Sequence, residues 1–511
     1  MPKLKLLPVL LNTAAALGFC LFSVTTAPST VFAQNLPTLG DTEREELSPL
    51  MERKLGEQIM QGVRTDPDYM DDGPVLEYLN KLGNSLLASR PEARGEAVYN
   101  FEFFAVRDPV LNAFALPGGF IGMHSGLILA AQSESELASV MGHEIGHVAQ
   151  RHIARMIGSQ RQDALIPIAA MILAALAAKS SPDAAMALAA GGQGLAIQRQ
   201  LNFSRDAERE ADRVGFQILR DAGYDTSGMV AFFGRLQTAT RNYNDTAPPY
   251  LRSHPLTTER IADIQARQAG QRYKQHVDGL DFFLAQARVR VLQDSGTQGL
   301  MDAAVLFEQQ LKNQKEIDRI VGRYGLAFVA YKQHDYARAQ TLLDEVTRQV
   351  QQNAKYRNVF KETSAFADLE IDIRIANKQP ELAVKEAQEA MQLLPLSRGI
   401  ARQYAEALLA AKREEDAARF LRDQVQLYRQ EPDLYKLLAK AYSAQGKQAL
   451  EHMSLAESYA LNGALPAAIQ QLDIARRSPD AQYYDQAVID AREREWKEKH
   501  KQELEDEKKR K

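Results

Sequence analysis

Residues 143–147 read His-Glu-Ile-Gly-His, and this pentapeptide decides how the surrounding chain is expected to fold. In an α-helix, positions i and i+4 lie one turn apart on the same face, so His143 and His147 would direct two imidazoles at one metal ion. Ser133 followed by Glu136 is a capping box, and apolar residues recur after it at helical spacing. The sequence therefore predicts a helix that begins near Ser133 and carries two metal ligands on one face.

Glu144 directly follows the first of these histidines. The spacing His-Glu-x-x-His is typical of zinc peptidases, in which the glutamate acts as general base toward a water at the metal. We therefore predict one zinc ion (Zn2+) per chain, held by His143 and His147, with Glu144 as a catalytic residue. A chance match is the alternative in a chain with nine histidines, and a third ligand is needed to decide.

A second predicted helix offers that third ligand. Residues 204–212 read Ser-Arg-Asp-Ala-Glu-Arg-Glu-Ala-Asp, which places Glu208 and Asp212 one helical turn apart. Glu208 would complete a His-His-Glu set and leave one position on the metal open for water. Asp212 would accept the free ring N–H of a metal-bound histidine and fix its orientation. Glu210 is a rival ligand, but it lies about 200° around the helix from Glu208. A surface helix stabilised by ion pairs is the remaining alternative.

Length and charge limit the classes of protein that fit this chain. At 511 residues it is too long for one typical core, so we expect two or more domains. Charged residues make up 25% of the chain, yet the net charge is only −4. This balance gives no global field that would attract nucleic acid, and no nucleic-acid partner is predicted.

The segment 1–33 is predicted to be a secretory signal peptide. Lys3 and Lys5 precede an apolar stretch that runs from residue 6 to about residue 24, and Val31-Phe-Ala33 supplies small residues before Gln34. An uncleaved anchor helix is the alternative. A lipid anchor on Cys20 is disfavoured because the bulky Phe19 precedes it. Since Cys20 is the only cysteine, a cleaved chain would contain no disulfide.

The region before the pentapeptide is predicted to contain helices and a small sheet. Residues 42–90 have helical spacing, and residues 98–106 alternate as a strand does. Residues 112–123 are interpreted as two short strands around the turn at Pro117-Gly-Gly119. An extended substrate could pair with the exposed edge of such a strand, which makes Asn112, Ala113 and Phe114 candidate substrate-binding residues. An ordinary hairpin is the alternative.

Two apolar segments lie between the two ligand helices, at residues 164–178 and 184–197. The first is short for a membrane span and contains Pro167. A buried helical hairpin is one interpretation. A flap over the site, or a segment that touches a membrane or an unfolded client, is the other.

From about residue 280 onward the strand signals disappear and a helical repeat replaces them. The step from Ala383 to Ala417 equals the step from Ala405 to Ala439, and this period of about 34 residues resembles the tetratricopeptide repeat. We count roughly four degenerate repeats. Related dipeptides and small residues are Leu326-Ala327, Leu455-Ala456, Ala339 and Ala468. A plain helical bundle is the alternative, and the tail from Arg492 is interpreted as a solvated, frayed helix.

The motifs together resemble one known family. His-Glu-x-x-His, followed further along the chain by Glu-x-x-Ala-Asp at residues 208–212, resembles the zinc metalloprotease family of the CAAX prenyl proteases and the bacterial HtpX heat-shock proteases. Segments 112–119 and Ser253-His-Pro255 also look like that group. Those relatives are membrane-embedded, whereas a signal peptide and a repeat domain make this chain similar to periplasmic members. The resemblance also makes Glu208 the third ligand.

The resemblance implies an architecture and a cellular role. The fold class would be an α+β zincin-like metalloprotease domain (residues 34–275), followed by an α-helical tetratricopeptide-repeat solenoid (276–480) and a charged tail (481–511). The activity would be that of a chaperone-protease that helps outer-membrane β-barrel proteins assemble and degrades misassembled ones. Its partners would be unfolded or misassembled outer-membrane proteins and, through the repeats, the outer-membrane assembly machinery, with peripheral membrane contact as a further option. A periplasmic chaperone or scaffold with a latent zinc site is the competing interpretation, and a zinc hydrolase of small molecules is disfavoured.

The resemblance also assigns a role to His254. It implies a loop that can bring this imidazole to the open position on the metal and switch the enzyme off, because displacing water removes the nucleophile. His254 could instead stabilise the oxyanion, or be an ordinary loop histidine. His152 is interpreted as a surface residue, and His124 as lining the cleft near the edge strand. Arg260 would anchor the His254 loop or bind a substrate carboxylate.

Overall fold

The computed structural model describes residues 47–95, 99–158, 204–242, 249–270 and 274–508. These described residues form one compact unit. The predicted signal peptide and the two apolar segments within residues 164–197 lie outside the described residues. None of the described helices is long and apolar enough to cross a bilayer.

The first part of the unit combines helices with one small sheet. Its elements are α1 (Pro49–Thr65), α2 (Gly73–Ser89), a 3-10 turn (Pro91–Arg94), β1 (Glu102–Val106), β2 (Ala113–Leu116), β3 (Phe120–His124), α3 (Ser125–Ala130), α4 (Glu134–Ala149), α5 (His152–Gly158), α6 (Arg205–Asp221), α7 (Ser227–Asn242), α8 (Pro249–Ser253) and α9 (Thr258–Ala269). The predicted helices before residue 90 and the predicted hairpin are confirmed, whereas β1 begins later than the strand predicted from residue 98.

Within the described residues, the sheet has three strands in the order β1-β3-β2. β1 runs parallel to β3, and β2 runs antiparallel to it, with Leu116 opposite Phe120 across the Pro-Gly-Gly turn. Alternate residues face opposite sides, as the period of a strand requires. Phe104 and Phe120 pack with α1, whereas Phe103 and Ile121 join the larger core formed with α2, α4 and α6. α4 therefore lies on one face of the sheet and also contacts β2.

α4 is the central helix of this part. Ser133 caps it by accepting a hydrogen bond from the backbone of Glu136 at 3.3 Å. The side chain of Glu136 accepts one from the backbone of Gln132 at 2.6 Å, so the capping box predicted from the sequence is present in a slightly shifted form. Every residue from Glu134 to Val148 is buried. On a helix that is buried on all sides, a charged side chain costs free energy unless a partner offsets its charge.

The second part of the unit is entirely helical within the described residues. It consists of α10 (Leu280–Gln293), α11 (Thr297–Leu311), α12 (Glu316–Lys332), α13 (Tyr336–Gln352), α14 (Arg357–Glu362), α15 (Ala365–Ala376), α16 (Pro380–Leu393), α17 (Arg398–Ala410), α18 (Glu414–Leu427), α19 (Pro432–Ala444), α20 (Gln448–Leu461), α21 (Leu465–Arg477) and α22 (Tyr483–Lys508). The step from the start of α17 at Arg398 to the start of α19 at Pro432 equals the period seen in the sequence. Helices that neighbour each other in sequence pack together, which confirms a helical array after the first part.

The small residues that suggested the repeat occupy helix crossings. Ala339, Ala383, Ala417 and Ala468 are each the fourth residue of a helix, and each has an exposed fraction of 0%. Ala405 and Ala439 are also buried. A methyl side chain lets two helix backbones approach closely, so these positions set the spacing of the array.

The two parts share a core beyond the boundary predicted at residue 275. Phe282, Ala285 and Val289 of α10 lie in the same hydrophobic cluster as α2 and α4. Arg288 of α10 donates to both carboxylate oxygens of Asp72, the cap of α2, at 2.8 and 2.7 Å. It also donates to Asp368 of α15 at 2.6 Å. α10 therefore connects the first part to the helical array.

The C-terminal helix differs from the predicted solvated tail. α22 is 26 residues long, and its Trp496 is only 5% exposed. This side chain packs with Ile489 of its own helix and with Ala456 and Leu465 of α20 and α21. The interpretation of the segment from Arg492 as frayed is therefore wrong at Trp496, because the indole covers the end of the array.

A candidate metal centre

Four buried side chains, three from two helices and one from a loop, converge on one point. His143 and His147 come from α4, Glu208 from α6, and His254 follows α8 directly. One donor atom from each lies within 4.8 Å of all the others, and the four residues are at most 2% exposed. The structure thus brings together the three predicted ligands and the predicted loop histidine.

The distances between these atoms suit a tetrahedral ion. The Nε2 atoms of His143 and His147 are 3.1 Å apart, and Nε2 of His147 is 3.3 Å from Oε1 of Glu208. Nδ1 of His254 lies 3.3 Å from Nε2 of His143 and 3.0 Å from the same Glu208 oxygen. Ligands about 2.0 Å from a tetrahedral metal are about 3.3 Å from each other. The donor set, three imidazoles and one carboxylate, also suits zinc chemically.

Asp212 and Arg260 contact the donor side chains of His143 and Glu208 and help to hold them in place. Oδ1 of Asp212 lies 3.0 Å from Nδ1 of His143. Arg260 donates to both carboxylate oxygens of Asp212, at 2.7 and 2.8 Å, and its Nη1 lies 2.7 Å from Glu208. The same guanidinium donates to the backbone carbonyl of Pro255 at 2.8 Å. Arg260 is therefore engaged internally and ties the loop of His254 to the two carboxylates, rather than offering its charge to a substrate.

The electrostatics of the cluster favour one additional positive charge. Burial lowers the pKa of His143, but hydrogen bonds with Asp212 and Glu208 outweigh that effect and raise it to about 10. Burial holds the pKa of His147 well below its usual value. Burial raises the pKa of Glu208, but the charge of His254 and hydrogen bonds from the histidines bring it well below the ordinary value. A cation that replaces the proton on His143 would meet the same buried carboxylates.

Glu144 is buried next to the cluster without a hydrogen-bond partner. Neither of its carboxylate oxygens has one among the described residues, and its exposed fraction is 0%. Nε2 of His254 lies 3.7 Å away. Burial raises the pKa of this carboxyl, as proton acceptance during catalysis requires. A buried carboxylate that accepts no hydrogen bond costs free energy, so a water molecule or a polar group of a substrate would bind favourably beside it.

The predicted substrate-binding residues lie on the sheet edge near α4. Among the described residues, β2 pairs only with β3, so its other edge has no strand partner there. The backbone carbonyl of Asn112 accepts a hydrogen bond from the N–H of His124 at 3.0 Å, and the Asn112 side-chain nitrogen lies 3.3 Å from the ring of that histidine. Ala113 is buried, and Phe114 packs edge-on against His124 with ring centres 5.7 Å apart. His124 therefore stabilises the hairpin through contacts of its backbone and of its ring.

Two features of the site were missed in the sequence. His152 is 4% exposed, which corrects its interpretation as a surface residue, and its ring contacts that of His147. Glu210 points away from the cluster and lies 3.1 Å from the other side of the His152 ring. The second feature is Tyr250, a fully buried tyrosine stacked on His254 at 4.7 Å between ring centres, whose hydroxyl has no partner among the described residues. Neither follows a local pattern that sequence spacing could reveal.

Comparison with known proteins agrees with this geometry. Residues 78–268 match peptidase family M48. A beta-barrel assembly-enhancing protease from Escherichia coli strain K12 is 30% identical over 460 residues, which cover 90% of this chain and 91% of that protein. A protein of the same name from Yersinia pestis is 30% identical over 463 residues, which cover 89% and 90%. The mitochondrial metalloendopeptidase OMA1 of Arabidopsis thaliana is 32% identical over 230 residues, or 45% and 44%.

The fold and the donor set define a metallopeptidase. The chain belongs to peptidase family M48. Within that family it resembles the beta-barrel assembly-enhancing proteases along 90% of its length, and the resemblance predicted from the motifs is thereby confirmed.

Proposed function

We propose that this chain is a zinc endopeptidase and chaperone of the bacterial periplasm that degrades misassembled outer-membrane β-barrel proteins. The observation that carries the enzymatic part is the convergence of His143, His147, Glu208 and His254 at tetrahedral spacing beside the buried Glu144, which accepts no hydrogen bond from the described residues. The names of the relatives support the client class, since they refer to beta-barrel assembly. The predicted signal peptide supports export to the periplasm. β-Barrel proteins cross that compartment on their way to the outer membrane, so the chain would meet them there.

The residues at the centre divide into ligands and reacting groups. His143, His147 and Glu208 would hold the zinc ion, with Asp212 orienting the ring of His143 through the 3.0 Å contact. A bound zinc ion supplies Lewis acidity, which polarises a peptide carbonyl and lowers the pKa of water toward about 7. Glu144 accepts the proton of the attacking water and returns it to the leaving amine.

The sheet edge would bind the client protein, and the helical array would bind the assembly machinery. An extended client can pair its backbone with the edge of β2 at Asn112, Ala113 and Phe114, and such hydrogen bonds do not depend on the client sequence. We propose that residues 276–480, which contain α10 to α21, form a tetratricopeptide-repeat solenoid, on the basis of the repeat period and the buried alanines. Solenoids of this kind present extended binding surfaces, which would receive the assembly machinery.

The position of His254 supports a second candidate, a chaperone whose zinc site is mostly latent. Its Nδ1 already occupies the fourth donor position, 3.0 Å from Glu208. A fourth protein ligand excludes water from the site. Assembly of barrel proteins would then depend on the repeats, and proteolysis would begin only when the loop of His254 moves.

The test compares an outer-membrane β-barrel protein, unfolded and detergent-folded, as substrate of the full-length zinc-loaded protein. Wild type should cleave the unfolded form and spare the folded one, and Glu144→Gln should bind the unfolded form without cleaving it. Glu57→Gln, on the exposed face of α1, is the matched control and should cleave normally. Cleavage by Glu144→Gln at the wild-type rate would contradict the enzymatic proposal. Absence of cleavage by wild type, together with unimpaired assembly of the barrel, would favour the chaperone.

A further inference from the structure

The ring of His147 has a second partner on the side that faces away from the donor cluster. Its Nδ1 lies 2.9 Å from Nδ1 of His152, and the two rings meet edge-on with centres 4.9 Å apart. The Nε2 atom of His147 faces the cluster, 3.3 Å from Glu208. One imidazole therefore links the candidate metal position to a second, buried imidazole.

A sharp turn of the backbone brings the rings of His147 and His152 into contact. α4 ends at Ala149, and Arg151 adopts a left-handed conformation with φ of 52° before α5 begins at His152. The reversal returns the chain toward the last turn of α4. Non-glycine residues adopt this conformation only at some cost, so the turn is maintained by its contacts. Arg151 itself is engaged with Glu52 and with the carbonyl of Leu47.

The far side of His152 ends on a carboxylate. Its Nε2 lies 3.1 Å from Oε2 of Glu210, and Arg155 donates to the same oxygen at 3.2 Å. Glu210 belongs to α6, two positions beyond the candidate ligand Glu208, and its side chain is 32% exposed. A continuous line of contacts therefore runs from the cluster through His147 and His152 to a charge at the surface.

The protons on this line can be placed in one way. A metal-bound Nε2 leaves the proton of neutral His147 on Nδ1, which lies 2.9 Å from Nδ1 of His152 and can donate to it. That nitrogen then carries no proton, so His152 holds its proton on Nε2 and donates it to Glu210. Each of the two short contacts is thereby a correctly oriented hydrogen bond.

We propose that His152 and Glu210 form a relay that positions His147 as a metal ligand and strengthens its donor nitrogen; the proposal rests on the proposed metal site. Outer partners of this kind fix the ring and the tautomer of a ligand, and the charge of Glu210 polarises His152 toward His147. The two candidate ligands of α4 are supported differently. His143 contacts the carboxylate of Asp212 directly, whereas His147 reaches its carboxylate through an imidazole.

The relay predicts a graded loss of metal affinity. The full-length protein is stripped with a chelator and titrated with zinc alone, in competition with a chromophoric chelator. His152→Phe keeps the ring volume but accepts no hydrogen bond, and its zinc dissociation constant should rise about 10- to 100-fold. His152→Asn, whose amide oxygen can replace Nδ1, should recover part of that loss. Glu210→Gln removes only the charge and should raise the constant by about three-fold or more.

The matched control is His276→Phe. His276 also lies against a glutamate, 2.9 Å from Glu134, but does not contact the donor cluster, so its loss should leave zinc affinity unchanged. At saturating zinc, the KM of the His152 and Glu210 variants for an unfolded substrate should equal that of wild type, because the proposed substrate site at the edge of β2 does not include the relay.

Either of two results overturns the relay: wild-type zinc affinity in Glu210→Gln, or affinity within about two-fold of wild type in a folded His152→Phe. If His152→Phe does not fold, Glu210→Gln decides alone, since its side chain is partly exposed. A wild-type protein that binds no zinc would instead refute the proposed metal site, which is a separate outcome.

Discussion

Glu208 connects side chains from several elements of the site. It lies within 3.5 Å of His143, His147, His254 and Arg260, which belong to α4, to the residue after α8, and to α9. Because its charge is buried, the guanidinium of Arg260 is needed to offset it when no metal is bound. At the residue scale, the centre therefore consists of buried side chains whose charges offset one another. A single substitution can leave one of these charges without its partner.

His254 provides the first prediction at this scale. If its imidazole closes the metal site, His254→Ala should raise basal cleavage of unfolded protein, or self-cleavage, while zinc stays bound. If it instead stabilises the oxyanion, activity should fall about 10- to 1,000-fold, the effect of losing one such donor. We expect the increase, because Nδ1 of His254 lies 3.0 Å from Glu208 in the donor cluster. His334→Ala, at an exposed histidine of the array, is the control, and unchanged activity in His254→Ala would exclude both roles.

At the scale of elements, the close crossing of α4 and α6 sets the geometry of the donors. A Cβ atom on Gly215 would lie 2.9 Å from the backbone nitrogen of His143, and one on Gly146 would lie 2.9 Å from the carbonyl oxygen of Ala211. Both distances are too short for a carbon atom, so the helices meet where neither has a side chain. This contact brings the two histidines within reach of Glu208.

Gly215→Ala should therefore disturb both stability and metal binding. The added methyl forces the helices apart, at a cost of about 1–3 kcal/mol in the free energy of unfolding, and widens the donor cluster. Thermal unfolding and zinc titration measure the two effects. Gly234→Ala on α7 is the control, because a Cβ there meets no atom within 4 Å and should stabilise the helix by about 1 kcal/mol. Equal zinc affinity in Gly215→Ala and wild type would show that the crossing does not set the donor spacing.

A second element-scale prediction concerns the junction at Arg288. Burial raises the pKa of Asp368 to about 8, despite the opposing charge of Arg288, and the nearby Asp372 and Asp72 add to the increase. A carboxyl group whose pKa is higher in the folded state contributes stability below its unfolded pKa and loses it as pH rises. We therefore expect the zinc-loaded protein to lose stability between about pH 4 and pH 8, by at most about 1.4 kcal/mol per pH unit from this group.

Asp368→Asn provides the comparison for that junction, because its amide does not ionise. Melting temperatures recorded from pH 5 to pH 9 should decline more steeply for wild type than for the variant. Parallel curves would mean that Asp368 does not titrate in this range. Replacing Asp302, an exposed residue of α11, by Asn should leave the wild-type slope intact.

At the scale of the whole molecule, the helical array is joined to the first part through buried and partly buried polar contacts as well as apolar ones. Ser364 and Ser397 each donate to Glu77 of α2 at 2.5 Å. Tyr324 of α12 accepts a hydrogen bond from Arg288 at 2.8 Å. Removing one partner of a hydrogen bond to a charged group destabilises the fold, most strongly where the bond is buried, as between Arg288 and Tyr324. The array therefore stabilises the part that carries the metal centre.

Truncation tests this dependence. A chain that ends at Gly279 lacks Phe282, Ala285 and Val289, which belong to the core around α2 and α4, and it should be insoluble or fail to bind zinc. A chain that ends at Asp294 keeps α10 and the pair between Arg288 and Asp72, and it should fold and bind zinc with a lower melting temperature. The longer truncation should no longer bind partners of the array. Equal stability of the two truncated chains would contradict the role given to α10.

The sequence by itself determined those features that depend on local spacing. The pairs His143 with His147 and Glu208 with Asp212 are separated by one helical turn, so their shared faces follow from the geometry of the helix. The turn between β2 and β3 followed from Pro117-Gly-Gly119, and the array followed from alanines that recur at a constant interval. Each of these signals is either confined to a short segment of the chain or recurs along it at a fixed interval.

Only the tertiary structure decided the contacts between residues that are distant in sequence. Arg288 and Asp72 are 216 residues apart, and His254 and Glu208 are 46 apart. His152 is only five positions from His147, yet its contact depends on the left-handed turn at Arg151, which no helical spacing predicts. Trp496 is buried although its neighbours in sequence are charged, because the end of the array offers an apolar surface that it covers. Such contacts arise from how folded elements pack together, and packing depends on shapes that the local pattern of residues does not specify.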